Sequence, residues 1–347
     1  MKNNVTIKDI AEKAGVSIGS VHIALSGKPG VGKATRDRIC AIAAEMNYRP
    51  NLLARNLKRD ALEVVVALPR KNEYSHFYFD FMRMAAADYS NHARDYKLNL
   101  RFVDMEDISS IADDDIGGVI TMGYPRKDLV ETVRKLSGRG IPVILLDSDL
   151  PDTGRLCSVQ PDLDILGDLT AQLLKMNLRR ADGDILICAG YHDFPHHKLI
   201  ADRICAYFKK NHIHNQLHWI NFEVPDDESV ELIKTCIMTH PIIGACSVNS
   251  RSTTVLARAV EELKRTADIP IIGSELYPET YDYVKKGVIT AIVRKRPYAQ
   301  CRQGLYIMQD YLARGIAPDI DVIHPAVDVV FSTTLGQYDK EKGSLTK

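Results

Sequence analysis

Between residues 61 and 293 the chain alternates ten short apolar runs with amphipathic stretches, and few folds accept that rhythm. The runs fall at 63–68, 99–103, 118–121, 142–146, 156–159, 183–188, 217–222, 244–248, 269–272 and 289–293. Several open on Pro or Gly, as in Pro142-Val143-Ile144-Leu145-Leu146 and Gly183-Asp184-Ile185-Leu186-Ile187-Cys188. They are too short for helices, and their nearly unbroken hydrophobicity predicts strands covered on both faces, the mark of parallel sheets. Helical periodicity runs through 79–96, 127–138, 163–176, 197–211, 228–239, 252–264 and 279–287. Strand, helix, strand in series is right-handed βαβ winding. Ten strands suit two doubly wound α/β lobes better than one sheet. In such sheets ligands sit beyond the carboxyl ends of the strands, so a cleft between two lobes gathers loops from both.

The first sixty residues follow a different rule. Ile7, Ile10, Ala11 and Ala14 repeat at the spacing of one helical face, Gly15 stops that helix, and Ser17 is placed to cap the next. This predicts a helix-turn-helix, braced by a third helix over 33–46. The second helix would offer Ser17, Ile18, Gly19, Ser20, His22 and Ile23 to a major groove, with His22 left open between reading a base and holding a phosphate. Residues 1–60 carry eleven Lys and Arg against five Asp and Glu, a net +6 that leaves −6 on the remainder of a neutral chain. A basic head on a mildly acidic body is the footprint of phosphate contacts at one end only. Residues 50–60 follow as a hinge or linker. Pro50 suits a first helical turn, Arg55 and Lys58 can meet phosphates, and Leu57 can wedge between base pairs. So short a helix is marginal alone and is expected to order only with DNA and a partner hinge.

The remaining chemistry is sparse. Seven cysteines lack C-x-x-C pairing and are expected to be mostly buried, reduced thiols. His192, Asp193, His196 and His197 have metal-binding side chains, but Phe194-Pro195 interrupts the helix that would align His192 with His196; no metal or cofactor is expected. There is no G-x-S-x-G, G-x-x-x-x-G-K-[ST] or H-E-x-x-H, so no enzyme activity is expected. No 18-residue apolar run appears, and Met-Lys-Asn-Asn-Val-Thr at the start has no signal-peptide character. A cytoplasmic protein with no membrane partner is expected.

Thr-Ile-Lys-Asp-Ile-Ala at 6–11, Ala-Gly-Val-Ser at 14–17, Gly-Lys-Pro-Gly-Val at 27–31, Ala-Thr-Arg-Asp-Arg-Ile at 34–39 and Asn-Tyr-Arg-Pro-Asn at 47–51 occur together in order. This closely resembles the headpiece and hinge of the LacI (lactose-repressor)/GalR family of bacterial transcriptional regulators. The resemblance implies a headpiece over 1–49, a hinge over 50–60 that becomes helical on the operator, and a two-lobed periplasmic-binding-protein-like core over 61–347, its lobes roughly 61–158 with 294–325 and 159–293 with 326–340. It implies DNA contacts at Thr6, Ser17, Ile18, Gly19, Ser20, His22, Tyr48, Asn51, Arg55, Leu57 and Lys58, with Leu57 as the minor-groove wedge. Where the family often has Val-Ser-Arg, this chain has Val21-His22-Ile23, so its operator should differ at that step.

Effector candidates are the residues following strand ends: Tyr74, Phe77, Tyr78, Tyr124, Asp147, Tyr191, Asn249, Arg251 and Glu275, joined by Arg203 because 202–208 looks like the family segment whose arginine contacts the effector. The core departs from the family pattern at Asn249-Ser250-Arg251, at Gly273-Ser274-Glu275, at Lys295 in place of a glutamine, and at Cys301 in place of a glycine. An added cation at Arg251 or Lys295 favours a sugar acid or another acidic ligand, although Lys295 can equally be a surface residue. The expected protein is a homodimeric repressor on a near-palindromic operator, controlled by a sugar or sugar acid bound between the lobes. The alternative is a cytosolic small-molecule-binding protein without a DNA-reading role.

Overall fold

The structure, a computed structural model, describes residues 7–25, 30–46, 61–70, 76–190, 195–221 and 226–338. It comprises two units, Met1–Ala61 and Leu62–Lys347. The expected DNA contacts Thr6, Tyr48, Asn51, Arg55, Leu57 and Lys58 lie outside the described residues, as do the cleft candidates Tyr74 and Tyr191.

Among the described residues the small unit has three helices: α1 (Ile7–Ala14), α2 (Ile18–Leu25) and α3 (Lys33–Glu45). Gly15 ends α1 with a φ of 64°, a left-handed conformation that a side chain would strain. The Ser17 hydroxyl accepts the Ser20 N–H at 3.1 Å, which satisfies one of the orphan donors at the start of α2. Ile10, Ala11, Ala14, Val21, Ala24, Ile39 and Ala43 form the core, drawn from all three helices. Burying Ile10, Val21 and Ile39 contributes roughly 1.5–3 kcal/mol each. Lys13 bridges to Glu45 at 2.8 Å, but both ends are exposed and the pair adds little.

Among the described residues the large unit holds two six-stranded sheets. The first takes β1 (Leu62–Leu68), β2 (Leu98–Asp104), β3 (Gly118–Met122), β4 (Val143–Leu146), β5 (Cys157–Val159) and β11 (Val322–Ile323). The second takes β6 (Asp184–Gly190), β7 (Leu217–Asn221), β8 (Ile242–Ser247), β9 (Ile271–Ser274), β10 (Ala291–Arg294) and β12 (Asp328–Val330). The orders are β2-β1-β3-β4-β5-β11 and β7-β6-β8-β9-β10-β12, the same winding twice. Pairing is parallel except between β10 and β12. All ten expected strands form, whereas β11 and β12, of two and three residues, carry too little periodicity to be anticipated.

The helices of this unit are α4 (His76–Asp95), α5 (Lys127–Gly138), α6 (Leu163–Asn177), α7 (Pro195–Lys210), α8 (Asp226–Thr239), α9 (Ser250–Glu262), α10 (Pro278–Lys285) and α11 (Pro297–Gln309). The sequence patterning did not anticipate α11. It packs against α4 and against β3, β4 and β5, so it belongs to the first lobe although it follows a strand of the second. The chain thus passes between lobes three times: after Val159, after Arg294, and between Ile323 and Asp328.

Cys157, Cys188, Cys246 and Cys301 are buried, Cys205 and Cys236 partly so. Cys40 is exposed on α3, on the face away from the small unit's core. Among the described residues, no helix is long and apolar enough to cross a membrane.

Candidate functional site

A cavity of about 520 Å³ opens at the carboxyl ends of both sheets. The first lobe contributes Pro69 after β1, Tyr78 and Phe79 on α4, Met105 and Glu106 after β2, Tyr124 and Arg126 after β3, and Asp147 after β4. The second contributes His196 and His197 on α7, Asn249, Ser250 and Arg251 after β8, Glu275 and Tyr277 after β9, and Lys295 after β10. This is where doubly wound sheets place ligands, because the loops that follow the strands converge there.

Of the three carboxylates that line it, the two buried ones define its polar chemistry. Asp147 and Glu275 are both buried, and both adopt left-handed backbone, with φ of 62° and 66°. Such a conformation is uncommon for a residue bearing a side chain, and strain of this kind concentrates at functional sites. Asp147 accepts a short hydrogen bond from the Tyr78 hydroxyl. Gln300, on α11, donates its amide to the Tyr78 hydroxyl at 3.3 Å and to the Lys295 carbonyl at 2.8 Å, tying the first lobe's aromatic ring to the second lobe's cation. Glu275 accepts the Lys295 N–H at 2.8 Å, and the Lys295 ammonium lies 5.8 Å from the centre of the Tyr78 ring.

Burial pushes the Glu275 carboxyl above its usual range, against the opposing pull of the Lys295 charge and N–H. It also drives the hydroxyls of Tyr78, Tyr124 and Tyr277 well above theirs, so all three remain neutral hydrogen-bonding groups. Desolvation holds His197 down at about 3, helped by Lys295 and His196, and lowers His196 too. At neutral pH both imidazoles are uncharged. Arg126 is forked onto Asp128 and Arg251 is paired with Asp226, so each brings a neutralising partner from outside the cavity. Lys295 is buried in the cleft beside Glu275, and among the described residues its ammonium makes no ion pair of the kind that Arg126 and Arg251 make.

Gly123 permits the close packing behind this wall. A Cβ there would stand 2.0 Å from the Ser148 carbonyl oxygen, so only glycine lets the loops carrying Tyr124 and Asp147 meet. Asn249 accepts the Ser252 N–H at 2.8 Å and caps α9, which spends its carboxamide oxygen while its nitrogen lies 3.5 Å from His197.

Of the residues singled out in sequence, the structure brings together Tyr78, Tyr124, Asp147, Asn249, Arg251 and Glu275. Phe77 falls on α4, but its side chain is outside the described set. Arg203 is a correction. It lies two turns into α7, roughly 10 Å along the axis from His196, and does not line the cavity. Its guanidinium forks instead onto Asp168, at 2.8 and 2.7 Å. The residues not anticipated, Pro69, Phe79, Met105, Glu106, Arg126 and Tyr277, obey the strand-end rule or sit one position from a residue that was named. In the headpiece Ser17, Ile18 and Gly19 are exposed and Ser20 half-exposed, the Ser20 hydroxyl meeting that of Ser17 at 2.9 Å.

Comparison with known proteins matches residues 6–51 to the bacterial regulatory proteins of the lacI family and residues 74–316 to the periplasmic binding protein domain. The chain belongs to the LacI family. It is 33% identical over 153 residues to the ribose operon repressor of Bacillus subtilis (strain 168), covering 42% of this chain and 44% of that one. To the sucrose operon repressor of Klebsiella pneumoniae it is 47% identical over 57 residues, 16% of this chain and 17% of that one. These alignments cover less than half the length of the curated relatives. Among solved structures, a periplasmic ribose ABC transporter protein from Conexibacter woesei superposes with a TM-score of 0.70 at 18% identity, over 81% of this chain and 95% of that one. At that identity the likeness concerns the fold. A LacI-family chain therefore carries its helix-turn-helix on a core of periplasmic-binding-protein type.

Proposed function

We propose that this LacI-family protein is a homodimeric repressor whose affinity for a near-palindromic operator is set by a sugar or sugar acid held in the cleft. The observation that carries the ligand class is the pairing of buried carboxylates with aromatic faces. Asp147 and Glu275 accept hydroxyls, Tyr78, Phe79, Tyr124 and Tyr277 cover the apolar face of a ring, and Lys295 takes a carboxylate or a hydroxyl oxygen. Because Arg126 and Arg251 carry their own counter-ions, an anionic group on the ligand is recognised first at Lys295, where it competes with the Glu275 carboxylate.

On the DNA side, the start of α2, exposed at Ser17, Ile18 and Gly19 and half-exposed at Ser20, reads a half-site together with His22. Thr6, Tyr48, Asn51, Arg55 and Lys58 meet the backbone and Leu57 wedges the minor groove. A ligand that draws the lobes together moves the paired hinges and changes operator affinity by the coupling free energy, typically about 1–3 kcal/mol, or roughly 5- to 150-fold. A gel shift on the DNA upstream of the protein's own gene, repeated with a panel of pentoses, hexoses and their uronic and aldonic acids, tests this. Specific retardation that one class changes within that range supports the proposal. No discrimination between that DNA and a random duplex, or no response to any member of the panel, refutes it.

A further inference from the structure

At the opposite end of the second sheet from the cleft, three metal-ligating side chains converge. His218 is the second residue of edge strand β7, Cys236 lies in the last turn of α8, and His240 directly follows that helix. One ligand atom from each lies within 4.8 Å of the other two, the one such group among the described residues. The His218 and His240 rings are 4.0 Å apart, centre to centre. Cys236 and His240 share a helical face, because the His240 N–H continues the helix ladder onto the Cys236 carbonyl at 3.0 Å.

The surrounding bonds fit a metal site better than a chance cluster. His218 places Nε2 2.7 Å from Asp184 Oδ2, at the base of β6, and keeps Nδ1. His240 turns Nδ1 to the Cys236 carbonyl at 3.2 Å and the Thr239 hydroxyl at 3.0 Å, and keeps Nε2. One nitrogen fixed by a carboxylate or carbonyl and the other left over is the usual bonding of a metal-bound imidazole. Tetrahedral zinc, with bonds of about 2.3 Å to sulfur and 2.0–2.1 Å to nitrogen, needs its ligand atoms roughly 3.3–3.6 Å apart. The three ligand atoms, all within 4.8 Å of one another, need to draw in by at most roughly 1.5 Å to reach that spacing.

We propose that His218, Cys236 and His240 bind one zinc ion, with water at the fourth position and Asp184 orienting His218. The ion displaces the Cys236 thiol proton to solvent and binds the thiolate. The bound ion would clip the sheet's edge strand to the end of α8. The site shares no residue with the cleft, so this inference stands or falls separately from the proposed repressor function.

The test is titration of metal-free full-length protein with cobalt(II), then zinc. One equivalent of cobalt should give tetrahedral visible bands and a thiolate-to-cobalt charge-transfer band in the near ultraviolet, both bleached by zinc. Cys236→Ser should abolish the charge-transfer band. His240→Ala, at an exposed position, should weaken zinc binding about a hundredfold without unfolding the protein. Asp184→Asn should keep the band but weaken zinc 10- to 100-fold, as loss of an orienting carboxylate typically does. The proposal is overturned if folded wild-type protein shows no charge-transfer band, if the band survives Cys236→Ser, or if zinc affinity is unchanged in His240→Ala. Cobalt bound only by the cleft histidines would lack a thiolate band and would count equally against it.

Discussion

Asp147 and Glu275 each hold a carboxylate in the cleft at the cost of left-handed backbone, and their replacements should separate ligand recognition from folding. Asp147→Asn and Glu275→Gln preserve size and an acceptor oxygen. Each should weaken the effector about ten- to a hundredfold, the measure of one charge-assisted hydrogen bond, while melting near the wild-type temperature. Titration calorimetry and a thermal scan on the same samples check both halves. His197 predicts an acid sensitivity. Its pKa falls from 6.5 in the unfolded chain to about 3 in the cleft, so the unfolded chain alone takes up this proton between those values. The stability it contributes is therefore complete above pH 6.5 and lost as pH falls towards 3. The melting temperature of His197→Asn should fall less steeply than wild type from pH 7 to pH 4; parallel slopes would contradict this. Asp147 and Glu275 were legible because each directly follows an apolar strand, whereas Glu106 stands two residues beyond β2 and was not. Arg203 was misplaced because motif likeness fixes a helix but not which turn of it faces the ligand, and Asp168 claims that guanidinium from α6.

Among the elements, most of the ten anticipated strands share one cause: short apolar runs rich in Val, Ile and Leu, several of them opened by Pro or Gly, are readable without tertiary context, while the edge strands β2 and β7 interleave Asn, Arg and His with their apolar residues. Helix α11 was hidden by Gly304, Arg302 and Gln303, which blur its apolar stripe, and by its origin after a strand of the other lobe. Gly304 is tolerated because Leu146, Ile144 and Ile120 press against it, something visible only in the packed molecule. Two element-scale outcomes follow from the caps and close contacts. Ser17→Ala removes the cap of α2 at a cost of about 1 kcal/mol, so amide exchange along α2 should quicken roughly fivefold. Gly123→Ala forces a Cβ into the Ser148 carbonyl. It should cost about 1–3 kcal/mol in urea unfolding and weaken the effector as well, since Asp147 rides on the displaced loop. Loss of stability with unchanged ligand affinity would show that the two loops are not coupled.

For the whole molecule, one helix-turn-helix reads one half-site, so the expected assembly is a two-fold dimer on two half-sites. Sedimentation on specific DNA should show two chains per operator, and footprinting should show two protected half-sites related by inversion; one protected half-site under one chain would contradict this. The large unit has a further consequence in its three crossings between lobes. Gln160 donates its N–H to the Ile323 carbonyl at 3.0 Å and His324 reaches the Gln160 carbonyl at 3.0 Å, joining the first crossing to the third. Arg296 meets Asp328 at 3.3 Å, joining the second to the third. Three tethers ganged in this way behave as a flexure bearing: they resist shear and torsion and leave bending as the soft coordinate. Lys295 sits on one of those tethers, so a ligand that pulls on its ammonium applies force to the bearing itself, and work done by binding enters the one motion the linkage allows.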